Sequence, residues 1–253
     1  MNNLGSPIIQ QQKKPSMVWT ILDVLFPPFC CNCGVLGYEL CPDCFNEITL
    51  SEQRHICKIC GCLTQEADLC NRCSTKKQYF DQLRSWGIYD GVLRNAIIRI
   101  KFNRGFGLID NFTQTCADFI SKWNIKIDTI IPVPLSKARL KSRGYNQAAL
   151  LTKPISRLLH HSYRPEGLIR IKDTASQVGL NAQKRVQNVR NAFEGNLITE
   201  NKSILVIDDI ATTGSTLNEC AKALRKAGAK EVFCFTLART PLSDYGSIEL
   251  EDK

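Results

Sequence analysis

The chain has 253 residues, 33 Lys+Arg against 24 Asp+Glu for a formal net charge of +9, 43% hydrophobic residues and 13 cysteines. That is enough apolar material for one large or two modest cores, and it excludes a disordered chain. Residues 1–80 are neutral, 81–190 hold 19 Lys+Arg against 7 Asp+Glu, and 191–253 hold 7 against 10, so the positive field is local. Such a segment asks for an anionic partner, a phosphorylated small molecule or a nucleic-acid backbone, with a solvated basic surface as the plain alternative.

Residues 1–15, where Gln10, Gln11 and Gln12 precede Lys13, Lys14 and Pro15, lack apolar periodicity and read as a mobile tail. A short helix is predicted over 16–25, capped by Ser16 and stopped by Pro27-Pro28, with Val18, Ile21, Leu22 and Leu25 on one side. The apolar stretch 17–29 is interrupted by Asp23 and the two prolines and is too short to span a bilayer. It runs into Phe29-Cys30-Cys31 with no small-residue cleavage site, so the expected location is cytoplasmic.

Ten of the 13 cysteines lie between Cys30 and Cys73, a density that in a reducing compartment means metal ligation more often than disulfides. Cys30 and Cys33, Cys41 and Cys44, Cys57 and Cys60, and Cys70 and Cys73 form four CxxC pairs in two similar blocks. Two loops of this kind bring four thiolates around one tetrahedral zinc, and so small a module has little core without the metal. The expectation over 16–75 is a cysteine-rich double zinc ribbon holding two structural zinc ions. Sequential pairing within a block is preferred to cross-bracing because the separations are short. Cys31 and Cys62 sit beside better-placed ligands and are left out, and His55 reads as exposed.

Segment 76–126 is expected to connect the module to the rest of the chain. Over 80–106, Val92, Leu93, Ala96, Ile97 and Ile100 recur at helical spacing among Arg94, Arg99, Lys101 and Arg104, which predicts a docked helix. From 127 to 253 strands and helices alternate: a strand at Thr129, Ile130, Ile131 and Val133, a helix over 146–159, a strand over 203–207, a helix over 216–227 ended by Gly228, and a strand over 232–237. That alternation is α/β with a parallel sheet. His160 and His161 read as a solvated helix end, and Cys116, Cys220 and Cys234 as core.

The strand over 203–207 runs into Asp208 and Asp209, then into Ile210-Ala211-Thr212-Thr213-Gly214-Ser215-Thr216. Two carboxylates at the carboxyl end of a central strand fall in the ligand crevice of an open α/β sheet. Backbone N–H groups around Gly214, the hydroxyls of Thr212, Thr213, Ser215 and Thr216 and the helix dipole suit a phosphate. The carboxylates suit something hydroxylated or cationic beside it, such as a ribose diol, so a sugar phosphate fits both halves. Neither a GxxxxGK[ST] loop nor a GxGxxG fingerprint is present, which argues against an ATPase or a dinucleotide enzyme.

The run from Val206 and Ile207 through Asp208 and Asp209 to Gly214 resembles the 5-phosphoribosyl-1-pyrophosphate (PRPP) signature of type I phosphoribosyltransferases. Lys101-Phe102, Val133-Pro134-Leu135, Arg143-Gly144-Tyr145-Asn146-Gln147, Gln177, Arg185 and Asn188, with the cysteine module in front, make the layout over about 20–240 similar to the ComF family. Those are bacterial proteins linked to competence and the use of exogenous DNA. The resemblance implies a type I phosphoribosyltransferase-like parallel sheet flanked by helices, behind a small N-terminal zinc-ribbon module. It implies that Asp208 and Asp209 are catalytic carboxylates on the ribose hydroxyls and that Ala211, Thr212, Thr213, Gly214, Ser215 and Thr216 cradle the 5′-phosphate.

The same resemblance implies that the loop 134–143, with Lys137, Arg139, Lys141 and Arg143, faces the pyrophosphate, and four cations in seven residues suit a multiply charged leaving group. A flexible segment over 170–190, carrying Gln177 and Arg185, would close over the site, and Mg²⁺ would be bound largely through the pyrophosphate. The function implied is PRPP binding in DNA uptake, with transfer of phosphoribose to an acceptor that no recognisable base-binding hood identifies. Cations interleaved with aromatics (Lys101, Phe102, Arg104 and Phe106; Arg143 and Tyr145) support another reading, a single-stranded DNA-binding protein that keeps the phosphate site as a sensor or vestige. A third is a scaffold whose zinc module docks a helicase-like competence partner.

Overall fold

The computed structural model describes residues 27–51, 55–64, 68–172 and 189–241. The tail, the helix expected over 16–25, and Gln177, Arg185 and Asn188 of the expected flexible segment lie outside the described residues. Each cysteine block holds one helical turn, α1 (Pro42–Asn46) and α2 (Asn71–Thr75). There follow β1 (Gln82–Ile88), α3 (Gly91–Phe102), α4 (Gly107–Lys122), β2 (Thr129–Pro132), α5 (Lys137–Arg143), α6 (Gln147–Leu158) and β3 (Ser162–Tyr163). The remainder is β4 (Leu168–Arg170), β5 (Phe193–Gly195), β6 (Ser203–Ala211), α7 (Ser215–Lys226) and β7 (Glu231–Arg239).

Five strands form one parallel sheet in the order β1-β7-β6-β2-β3, while β4 and β5 make a separate antiparallel pair. Strands covered on both faces need apolar side chains at successive positions rather than alternating ones, and Ile204 to Ile207 of β6 are all buried. Period-two geometry divides them: Leu205 and Ile207 face α3, α4, α6 and the first cysteine block, whereas Ile204 and Val206 face α7, β4, β5 and the second block. The two cysteine blocks therefore pack on opposite faces of the sheet. Cys116, Cys220 and Cys234 are fully buried in these cores.

Two expectations are corrected. The segment 80–106 is not one helix. Its first part is the edge strand β1, which runs parallel to β7 from Gln82 opposite Phe233 to Ile88 opposite Arg239, and α3 begins only after Asp90. The mixed run Gln82-Leu83-Arg84-Ser85 hides the strand, and the ladder offered by β7 imposes it. The strand predicted over 203–207 continues to Ala211, because β7 extends alongside and pairs Asp208 with Thr236 and Ala211 with Arg239. Both acids are thus strand residues.

Among the described residues no helix is long and apolar enough to cross a membrane. The first cysteine block is fastened by an aromatic triple: Phe45 of α1 lies 5.9 Å from Trp86 of β1 and 6.2 Å from Phe112 of α4, and Trp86 meets Phe112 edge-on at 5.7 Å. Phe112 is fully buried, so Phe112→Ala leaves a cavity shared by three elements. Chemical denaturation of the zinc-loaded chain should show a loss of about 3–5 kcal/mol.

Candidate functional site

From β2 the chain proceeds to β3 at one edge of the sheet, and from the adjacent β6 it proceeds to β7 on the other side. Neighbouring strands whose connections diverge leave a crevice between their carboxyl ends, where open α/β sheets take ligands. Two loops flank it, 133–136 leading into α5 and 212–214 leading into α7.

Asp208 and Asp209 lie in the second half of β6 and, by strand alternation, face opposite sides of the sheet. Asp209 points toward α3, where the Lys101 ammonium lies 2.8 Å from its Oδ2 with both side chains largely buried. Asp208 Oδ1 accepts a 2.9 Å hydrogen bond from the Asp209 amide. Burial pushes both carboxyls toward higher pKa. For Asp208 that effect wins, with the neighbouring Asp209 charge adding to it, so its carboxyl is held well above the ordinary range. For Asp209 the Lys101 ammonium, helped by Arg143, overcomes burial and keeps the carboxylate ionised. Asp209 is thus held toward its ionised form by Lys101, while the Asp208 carboxyl is pushed toward its protonated form.

After Ala211 the backbone turns through Thr212, Thr213 and Gly214. Gly214 has φ +73°, a left-handed conformation that glycine adopts without a steric penalty, and it serves as the N-cap of α7 with no side-chain cap. Gly214 itself thus offers no side-chain acceptor to the first turn of α7. Thr213 Oγ1 and Ser215 Oγ lie 2.7 Å apart, and Thr213 Oγ1 accepts from the Ser215 amide at 3.3 Å, so these hydroxyls are preset within the loop.

Across the crevice, the expected pyrophosphate loop is a helix. Ser136 caps α5 by accepting from the Arg139 amide at 3.3 Å, and Gly144 ends it with φ +80°. Lys137 and Lys141 are exposed and Arg139 and Arg143 half-buried, with no acidic residue among them. Arg143 lies with its guanidinium carbon 4.9 Å from the Phe102 ring centroid and donates to Gln147 Oε1 at 3.0 Å, and its charge reaches Asp209. Asn146 caps α6 by accepting from the Ala148 amide, and its Nδ2 donates to the Val133 carbonyl, both at 3.0 Å. The Arg-Gly-Tyr-Asn-Gln run thereby sets the angle between α5 and α6.

Lys101 and Tyr145, two of the nucleic-acid candidates, have partners within the fold. Lys101 is held by Asp209, and the Tyr145 hydroxyl donates to the Ile100 carbonyl while its ring meets Phe106 edge-on at 4.9 Å. Both stitch α3 to the crevice. Phe102 and Arg104 do remain exposed, Phe102 by 46%.

In the first cysteine block the sulfurs of Cys30, Cys33, Cys41 and Cys44 all lie within 4.8 Å of one another, with 3.6 Å between Cys33 and Cys41. Zn–S bonds of about 2.3 Å imply a tetrahedral edge near 3.8 Å, so the donors fit zinc, and the grouping is sequential. In the second block the corresponding group is Cys57, Cys60, Cys62 and Cys70, with 3.6 Å between Cys60 and Cys70. Cys62, left out on spacing alone, is turned inward because Cys57 donates its amide to the Cys62 carbonyl at 2.8 Å. Cys73, the expected fourth ligand, falls outside that group but still interacts with Cys60 and Cys70. A hydrogen bond from Cys62 holds the Cys60 thiol at about 3 against burial, with Arg239 and Arg72 adding to it.

Three arginines carry no signal in the sequence. Fully buried Arg239 donates to the Cys60 carbonyl, Arg84 Nη2 donates to the Lys58 carbonyl at 2.8 Å, and Arg72 Nη1 donates to the Thr213 carbonyl. The Arg72 partner is 141 residues away, so no local pattern marks the pairing.

A family model for the phosphoribosyl transferase domain matches residues 111–248, and one for the double zinc ribbon domain matches 21–74. Fold, crevice and thiol clusters together define a phosphoribosyltransferase-domain protein with an N-terminal double zinc ribbon. Competence protein F of Haemophilus influenzae is 35% identical over 82% of this chain and 93% of its own length. DNA utilization protein YhgH of Escherichia coli K12 is 32% identical over 73% and 84%, and competence protein ComFC of Bacillus subtilis is 30% identical over 74% and 78%. With relatives this similar along most of both chains, the chain belongs to the ComF family.

Two outcomes follow. A carboxyl whose folded pKa is raised stabilises fully only below its unfolded value, and that contribution is lost as pH rises through the folded one. Asp208→Asn should therefore stabilise the ligand-free protein by about 1 kcal/mol near neutral pH, with the gain vanishing toward about pH 4 in thermal melts across pH. In the second block, Cys62→Ser and Cys73→Ser each leave four thiols. Elemental analysis should find two zinc ions in either single variant and one in the double variant.

Proposed function

We propose that the crevice binds PRPP, with Mg²⁺ brought largely by the pyrophosphate, in a protein that serves DNA uptake and the use of exogenous DNA. The observation that carries the reading is the meeting, at one switch point, of the Asp208–Asp209 pair, the uncapped start of α7 and the acid-free basic helix α5. In this reading the amides and hydroxyls of 211–216 take the 5′-phosphate and the carboxylates accept from the ribose hydroxyls. Arg143 and its α5 neighbours face the pyrophosphate. Fixed positive charge at the departing group is the largest contribution such a site can make to phosphoribosyl transfer. The proposed division of the chain is a ribbon module over 16–75, a connecting segment over 76–126 and a phosphoribosyltransferase-like unit from 127 onward. The relatives' names, competence protein and DNA utilization protein, support the cellular role.

A specific observation favours a second activity, single-stranded DNA binding. The exposed ring of Phe102 lies against Arg143 of α5, where Lys137 and Lys141 are exposed, and the exposed ring of Phe106 meets Tyr145. Exposed aromatics next to cations are what stacking and backbone neutralisation need.

Calorimetry with PRPP and Mg²⁺ should show binding by the unaltered protein and a loss of at least about tenfold in the Asp208→Asn, Asp209→Asn variant at unchanged zinc content. Absence of binding by the unaltered protein would overturn the PRPP reading. Replacing Lys137, Arg139 and Lys141 with Ala should weaken single-stranded DNA binding and flatten its salt dependence by about 0.7 for each phosphate no longer neutralised. Asp208→Asn should leave that binding intact.

A further inference from the structure

We infer that Arg72 of the second zinc ribbon is a positioning residue for the phosphate loop, so that metal loading of the second ribbon, and not of the first, sets how well the crevice holds the phosphate end of its ligand. The inference rests on the PRPP reading of that loop. Arg72 lies in α2 between Cys70 and Cys73, and its Nη1 donates to the Thr213 carbonyl. Its Nη2 is 3.6 Å, and Leu83 Cδ2 3.4 Å, from where a Cβ on Gly214 would lie. The guanidinium and Leu83 thus close over the turn whose left-handed glycine starts α7. Asn218, whose amide donates to the Gly214 carbonyl at 2.9 Å, accepts at its Oδ1 from the Tyr79 amide at 2.8 Å. The loop is gripped at Thr213 from within the second thiol cluster, and the first turn of α7 at Asn218 from the segment just after it.

The grip works because the ribbon itself is fastened to the sheet. The Leu83 amide donates to the Ile59 carbonyl at 2.8 Å, and a Cβ on Gly61 would meet the Leu83 carbonyl oxygen at 2.5 Å. Gly61 has φ +66° and is pressed against β1 where no side chain fits. Arg239, fully buried, donates to the Cys60 carbonyl from β7. The α2 backbone is one helical turn, too short to hold its own shape in water, so Cys70, its N-cap and a member of the thiol cluster, helps to fix where Arg72 stands. The first ribbon lies elsewhere. Its cysteines pack with Trp86, Leu93 and Phe112 on the opposite face of the sheet.

A carbonyl held by a guanidinium turns its own peptide group, so the Gly214 N–H, part of the same peptide plane, is fixed in direction by the same hydrogen bond. Loss of Arg72 frees that plane. The loop must then be ordered by the ligand, which reduces the affinity by the cost of ordering.

The test compares Arg72→Ala, Arg72→Lys and Cys33→Ser with the unaltered full chain, each with zinc content measured. Two readouts are used: PRPP affinity with Mg²⁺, and amide hydrogen exchange of a peptide spanning 211–217. Arg72→Ala at two zinc ions per chain should weaken PRPP about ten- to a hundredfold, the scale of one charge-assisted hydrogen bond, and speed exchange in 211–217 but not in 129–132. Arg72→Lys should recover part of both effects. Cys33→Ser, which empties the first ribbon, should leave both near the unaltered values. Unchanged exchange in 211–217 on Arg72→Ala, or an equal loss on Cys33→Ser, would overturn the inference. If the unaltered protein fails to bind PRPP, the functional reading fails on its own, and the exchange measurement still decides whether Arg72 orders the loop.

Discussion

Two adjacent carboxylates at the covered end of a central strand set the terms for the rest of the molecule. Ionised together in low dielectric they repel, and each alone is costly to desolvate. Strand alternation sends them to opposite faces, and the Asp209 face is answered by Lys101 at 2.8 Å from the last turn of α3 and by the charge of Arg143 at the end of α5. Those two cations fix where both helices must lie. Tyr145 hydrogen-bonds the carbonyl of Ile100 and Arg143 lies over Phe102, so the same corner is closed a second time by aromatic and hydrogen-bonding contacts. A crevice with one committed carboxylate and one reluctant one is the result.

The thiol clusters solve a different problem. Neither cysteine block has enough apolar residues for a core of its own, and each completes a face of the shared sheet. The first does so through Cys30, Leu40, Cys41 and Cys44 against Trp86 and Phe112. The second does so through Cys57, Cys60, Cys62 and Cys73 against Leu83, Leu217 and Cys234. The two ribbons pack at the edge of the sheet beside β1, one on each face. Gly61 pressed on the Leu83 carbonyl and Arg239 reaching Cys60 are the marks of that close fit.

Much of this was legible without coordinates because the signals are local. Four CxxC pairs announce tetrahedral thiolate sites by spacing alone. The unbroken apolar run before Asp208 announces a strand covered on both faces, and the threonine- and serine-rich turn around Gly214 announces a helix start. Amphipathic spacing identified the α3 residues that face the core, since Val92, Leu93, Ala96, Ile97 and Ile100 are all buried. What stayed hidden lacks a local pattern. β1 mixes polar and apolar residues and becomes a strand because β7 offers it a ladder, and α5 looks like a basic loop until Ser136 and Gly144 cap it.

The sequence by itself determined the chemistry available: which residues are carboxylates, thiols and cations, and in what local spacing, because propensity, capping and ligand spacing act over a few residues. Only the tertiary structure decided their partners. It set Lys101 against Asp209, brought Cys62 in beside Cys60 and Cys70, and carried Arg72 across 141 residues to the carbonyl of Thr213. Those pairings depend on which faces of one sheet the distant segments cover, and that is settled by the burial of the whole core rather than by any stretch of sequence.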